Sequence, residues 1–185
     1  MATTRTLKTD RLLLRPVADE DLVPIARLAN NRRIARYLSR VPWPYTPDDA
    51  RTFLDHTRTL GDDGAIYAIT APGQGMIGIT GYEQAGGRGT AEIGYWLVEA
   101  CWGKGYTTEA VAAVIEDAFT IGGAQRLVSR CIIENHASRA VLEKSSFRFT
   151  GIGSCAVASR GCAFASQEYE LTWAEWVRRT GGAGR

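Results

Sequence analysis

Between Thr57 and Ala65 the hydrophobic period of this chain switches from 3.6 to 2, which puts helices and a sheet into one structure. Ahead of the switch, "ADEDLVPIARLAN" sets Leu22, Ile25 and Leu28/Ala29 at helical spacing behind an acidic first turn. "RRIARYL" repeats the pattern with Ile34, Tyr37 and Leu38. In "YTPDDARTFLDHT", Thr46 is an N-cap, Pro47 suits the first helical position and Asp49 closes a capping box. Ala50, Phe53, Leu54 and Thr57 then share one face. Beyond the switch, "AIYAIT", "GMIGITGYE" and "TAEIGYWLV" read as three strands joined by glycine-containing turns. A helix follows, with Val111, Val114, Ile115 and Ala118 as its apolar stripe opposite Glu109, Glu116 and Asp117. "RLVSRCII" is a strand, "NHASRAVLEKS" a helix capped by Asn135, and "FRFTGIG" and "SQEYELTW" are the last strands. With "RLLLRP" as the opening strand, the pattern predicts a mixed sheet carrying helices, α/β or α+β in class.

Length and composition narrow the function. The 185 residues suit one domain over 1–185, with a frayed tail at about 179–185. Twenty-two basic against twenty acidic residues leave +2, too balanced to point to nucleic acid or an anionic membrane. "MATTRTLKTDRLLLRP" holds no signal-peptide core and nothing downstream spans a bilayer, so a cytoplasmic protein is expected. The four cysteines form no C-x-x-C pair and there are only two histidines, so no metal site is expected. The cysteines read as reduced, with Cys155 and Cys162 the one pair a hairpin would set face to face.

The turn "CWGKGYTTEAV" carries the chemical signal. A helix N-terminus exposes about four unpaired N–H groups and roughly half a positive charge. Gly103 and Gly105 strip side chains from that end, Lys104 adds a cation, and Thr107 and Thr108 add hydroxyls, all suited to phosphate. The turn has neither P-loop nor dinucleotide-fingerprint spacing. Taken alone, a strand-to-helix turn that merely needs glycine remains the competing reading.

"AEIGYWLVEACWGKGYTTEAV" followed by "ENHASRAVLEKSSFRFTG" resembles the acetyl-CoA-binding half of the GNAT acetyltransferase superfamily. The resemblance is to its RimJ/RimL-like branch of ribosomal-protein N-terminal acetyltransferases, and "TDRLLLRP" and "RRIARYLSRVPWPYTPDDARTFL" extend it over about residues 8–176. It implies a mostly antiparallel central sheet of about seven strands flanked by helices on both faces. It also implies acetyl-CoA as co-substrate and direct transfer of acetyl to a primary amine. The family turn [QR]-x-x-G-x-[GA] falls on residues 102–107, with Trp102 for Gln/Arg and Thr107 for Gly/Ala. Thr107 either crowds the pyrophosphate or hydrogen-bonds to it. Ser146 stands in "EKSSF" where the branch has glycine; if positive φ is needed there, it strains the turn by about 1 kcal/mol.

The resemblance assigns cofactor contacts to Gly103, Lys104, Gly105, Tyr106, Thr107 and Thr108, and to Leu97 and Val98 as a strand edge for the pantetheine arm. It also assigns a pantetheine contact to Asn135, itself a natural N-cap, and to Ser138 the role of proton donor or hydrogen-bond partner of the thiolate, the alternative being a plain surface serine in a first helical turn. Tyr106 either stacks near the cofactor or packs. Glu92, on one strand face with Gly94 and Trp96, is the candidate base, or else a half-buried carboxylate with a structural partner. An α-amino group of pKa about 8 is roughly one-tenth neutral at pH 7, against under one part in a thousand for lysine, so an N-terminus asks less of that base. The acceptor is thus expected to be the α-amino group of a protein or peptide. A small-molecule amine is the alternative and a non-catalytic acyl-CoA-binding module the third reading. "LSRVPWPYTP" lines the acceptor side and has no acid before Asp48, which disfavours a polycation. The exposed edge of the last strands suits a homodimer.

Overall fold

The protein is described from a computed structural model covering residues 5–62 and 64–181. Eight strands form one sheet: β1 (Leu7–Lys8), β2 (Leu13–Pro16), β3 (Gly64–Ala71), β4 (Gly75–Gln84), β5 (Thr90–Leu97), β6 (Arg126–Ile132), β7 (Arg148–Val157) and β8 (Cys162–Thr172). Their spatial order is β1-β2-β3-β4-β5-β6-β8-β7. Every pairing is antiparallel except β5 with β6, where α4 (Tyr106–Thr120) supplies the crossover.

Strand alternation sends Tyr67, Ile69, Ile93 and Leu127 to one face, where Val111, Val114 and Ala118 of α4 and Leu142 of α5 (His136–Lys144) cover them. The opposite face carries Ile66, Ala68 and Ile79 beneath Ile25 and Ala29 of α1 (Leu22–Ala29) and Ala50 and Leu54 of α3 (Pro47–Thr59). Helices therefore flank both faces, as expected. Thr46 and Asp49 close the capping box of α3 read in the sequence, and Asn31 caps the short α2 (Arg32–Ala35).

Several expectations change. The sheet has eight described strands, the extra one being the two-residue β1. β8 stops at Thr172, whose side chain closes a capping box with Glu175 and starts α6 (Trp173–Thr180). Residues 179 and 180 are thus helical, and 182–185 of the expected frayed tail lie outside the described residues. Of the last two strands only β7 is an edge. Cys155 sits opposite Phe164 and Cys162 opposite Val157, so the two cysteines do not face each other, and all four are free. Asp117 is buried, not on the solvent face of α4. Among the described residues no helix is long and apolar enough to cross a membrane.

Candidate active site

The parallel pairing of β5 and β6 runs only from Thr90–Arg126 to Glu92–Val128. Beyond it the strands part, with Ser129 Oγ donating to the Ile93 carbonyl at 3.0 Å in the fork. A cleft of about 900 Å³ fills the gap and continues beneath α1 and α3. Among its walls are Glu92 and Leu97 of β5, Thr107 of α4, and Ser138 of α5 with its cap Asn135. Gly103, Lys104, Gly105, Tyr106, Thr108 and Val98 do not line it. Val98 N–H is bonded to the Ile77 carbonyl at 2.9 Å, within the sheet. By alternation the amides of Tyr95 and Leu97 face the gap, so the open backbone edge is Tyr95 with Leu97 rather than Leu97 with Val98. The Leu97 carbonyl already accepts from Trp102 Nε1 at 2.7 Å.

At the rim, Gly103 and Gly105 both have left-handed φ, +72° and +79°. A Cβ at Gly103 would meet nothing within 4 Å; one at Gly105 would come within 3.3 Å of Arg11 Nη2. Gly105 is the N-cap of α4 and offers no side-chain cap, whereas α3, α5 and α6 are each capped by a side chain. The longest helix thus begins with uncapped N–H groups at the cleft mouth. Glu109 in its first turn would repel an anion, but it is held away by Thr9 Oγ1 (2.6 Å) and by Arg11 N (2.8 Å) and Nε (2.7 Å). Arg11 also donates to the Lys104 carbonyl at 2.9 Å and stacks over Tyr106 at 4.7 Å. Tyr106 packs against the core beneath it. Arg11 was legible in the sequence only as part of an opening strand, because its partners lie 93 to 98 residues away.

Ser138 lies in the first turn of α5, its N–H donating to Asn135 Oδ1 at 3.1 Å, so Asn135 both caps the helix and lines the cleft. Ser138 Oγ is 2.9 Å from Tyr95 Oη, which also donates to the Ser138 carbonyl at 3.2 Å. Burial pushes the Tyr95 phenol far above its ordinary pKa, the bond with Ser138 opposing, so it stays protonated. Burial likewise pushes up the neighbouring Cys131 thiol, again with Ser138 opposing. No motif flags Tyr95, which was legible only as a strand residue on the face opposite Glu92.

On the side toward α1 and α3, Glu92 Oε1 accepts from Arg130 Nε at 3.0 Å. Its cross-strand partner on the same face is Glu83, which binds Arg40 Nη1 at 3.0 and 2.8 Å and His56 Nε2 at 3.1 Å. Burial raises the Glu83 pKa, but Arg40 and His56 outweigh it and hold the carboxyl below its usual range. His56, in the last turn of α3, therefore meets the cleft.

Residues 11–148 match the Acetyltransferase (GNAT) domain family. The chain is 30% identical over 153 residues to an uncharacterized N-acetyltransferase, p20, of Bacillus licheniformis, covering 80% of this chain and 84% of that one. To the ribosomal-protein-serine acetyltransferase of Escherichia coli (strain K12) it is 27% identical over 154 residues, covering 80% and 86%. Its fold matches that of Mycobacterium smegmatis RimJ in complex with CoA-disulfide, with TM-score 0.81 at 21% identity over 99% of this chain and 98% of that one. A sheet opened at its parallel pair is here the frame of an acetyltransferase, an enzyme that moves acetyl from acetyl-CoA to an amine. The chain belongs to the GNAT acetyltransferase family, and a ribosomal-protein acetyltransferase is among the proteins it is similar to.

Proposed function

We propose that this enzyme acetylates the α-amino group of a protein or peptide, with its two substrates meeting in the fork between β5 and β6. The observation that carries the cofactor half is the uncapped, glycine-stripped N-terminus of α4 at the cleft mouth. Backbone N–H groups of residues 105–108 hold the pyrophosphate, with Gly103 clearing the approach and Lys104 and Thr107 adding a cation and a hydroxyl. The free strand edge at Tyr95 and Leu97 takes the pantetheine arm and presents N–H groups to the acyl oxygen. Asn135 borders the same channel.

Acetyl-CoA supplies the activated acyl group. Glu92 accepts the proton from the incoming nitrogen, directly or through water, at Oε2, which makes no hydrogen bond among the described residues. Ser138 Oγ–H donates toward the departing sulfur, and the Tyr95 hydroxyl 2.9 Å away holds that oxygen in place while water restores its proton. The acceptor class is supported by the E. coli relative, named for acting on a ribosomal protein, and by the lower demand an α-amine makes on the base.

Calorimetric titration with acetyl-CoA tests the cofactor half. Wild type is expected to bind at micromolar Kd, and Gly105→Val to lose at least tenfold. Gly161→Val carries the same left-handed strain (φ +65°) in the β7–β8 turn, outside the turn that starts α4, and is expected to bind as wild type does. Equal binding by all three would overturn the assignment of the turn.

A further inference from the structure

From the face beneath α1 and α3 we infer that the acceptor is a primary amine carrying a large apolar or aromatic group close to its nitrogen. This placement rests on the acetyl-transfer reading above. Three rungs of the β4–β5 ladder point into this half of the cleft: Glu83 opposite Glu92, Gly81 opposite Gly94, and Ile79 opposite Trp96. The outer rungs differ in chemistry. One is a pair of carboxylates, the other a pair of apolar side chains.

Gly94 lies between them on an exposed stretch of strand. A Cβ built there meets nothing within 4 Å, and its φ is not left-handed. The backbone therefore does not require glycine at this point, and the missing side chain leaves a shelf. Its partner Gly81 is roofed by Ile66, so the shelf opens only above Gly94. Half-buried Phe53 and Trp96 wall the space, with nearly buried Tyr45 behind them. The Ile79–Trp96 rung offers the shelf an aliphatic side chain and an indole.

Glu83 and Glu92 each have partners of their own, Arg40 and His56 for the first and Arg130 for the second. The ammonium of an acceptor fits between two carboxylates that stand in cross-strand register. The substituent on its carbon then extends over Gly94 toward Trp96 and Ile79. A small neighbouring group gains little from that wall, and a cationic one gains only a cation–π contact against the cost of shedding its water. Glu83 is accordingly a positioning residue for the amine, and Gly94 a determinant of specificity. The amine comes either from a peptide N-terminus or from a free arylalkylamine, which share this chemistry.

The test uses peptides differing only in a first residue of Phe, Leu, Ser or Arg, with phenethylamine and spermidine as free amines. Binding to the intact enzyme is measured by calorimetry without acetyl-CoA, and kcat and KM are measured with it. Phe- and Leu-peptides are expected to bind roughly 10- to 100-fold tighter than the Ser-peptide. Gly94→Leu is expected to abolish that preference while leaving the Kd for acetyl-CoA unchanged. Glu83→Gln is expected to raise KM for the Phe-peptide at least tenfold with a smaller change in kcat. Phenethylamine matching the Phe-peptide would identify a free amine as the source, and a peptide advantage a polypeptide N-terminus.

Tighter binding of the Ser- or Arg-peptide or of spermidine, or a preference that survives Gly94→Leu, would overturn the inference. Selective binding of the Phe-peptide with no acetyl transfer would instead overturn the proposed function and leave the shelf standing.

Discussion

Ser146 is a residue whose cost is visible in both sequence and structure. It occupies φ +70°, and it is the one non-glycine residue with positive φ among those described. Its N–H donates to the Glu143 carbonyl at 3.1 Å, so the turn that ends α5 holds it there. Ser146→Gly is expected to raise stability by about 1 kcal/mol. Urea unfolding measures this directly, and an unchanged midpoint would mean the turn is not strained. Ser138 shows what a motif leaves out. Its position is legible in "NHAS", but Tyr95, the group that holds its hydroxyl, is 43 residues away and belongs to no motif. Ser138→Ala is expected to lower kcat by roughly 10²-fold, within the range for a positioned proton donor, and Tyr95→Phe by about tenfold. The Kd for acetyl-CoA should stay within a factor of three in both. A loss confined to KM would place the pair in binding rather than in proton transfer.

At the scale of elements, the sequence showed most clearly where one short segment carries its own signal. Thr46 and Asp49 announced α3, and the glycine turn announced α4. The same grammar was present in "TWAE" for α6, yet the apolar alternation of "SQEYELTW" ran through it and hid the cap at Thr172. The opening of β5 from β6 left no local trace, because parallel strands pair through a crossover and only tertiary packing fixes where pairing stops. A further non-local contact joins the β1–β2 segment to α4. Glu109 is pushed up by burial, but Thr9 and Arg11 outweigh this and hold its carboxyl below the ordinary value of 4.5. A depressed carboxylate contributes stability that is fully present above 4.5 and is lost as pH falls through the lower folded value. The stability difference between wild type and Glu109→Gln is therefore expected to be constant from pH 6 to 8 and to shrink as pH falls below about 4.5. Unfolding curves across that series check the sign, and a difference that grows on acidification would contradict it.

The whole molecule is tied at a point the helical pattern assigned to solvent. Placing Asp117 opposite the apolar stripe of α4 is loose even on the wheel, since it lies three residues from buried Val114 and seven from buried Ala110, on the flank of that stripe. That placement fails because the residues beyond α4 bring polar groups of their own. Asp117 is 4% exposed and accepts from Tyr67 Oη at 2.7 Å, Tyr82 Oη at 3.2 Å, and Arg5 Nε and Nη2 at 2.9 and 3.2 Å. One carboxylate thereby joins the N-terminal segment, β3, β4 and the helix whose first turn is assigned to the cofactor. Burial first, and then Asp117, push both tyrosines far above their ordinary pKa, so they remain donors. Asp117→Ala strands two buried hydroxyls and is expected to cost about 2–4 kcal/mol. Asp117→Asn keeps an acceptor and should cost less. Arg5→Ala should cost about 1–3 kcal/mol, since its own side chain is 39% exposed but the Asp117 carboxylate it leaves without a counter-charge is buried. Thermal unfolding ranks the three. Acetyl-CoA titration well below each midpoint separates the tie from the site: an unchanged Kd in Asp117→Asn makes the cluster purely structural, and a weakened one shows that it also fixes the N-terminus of α4.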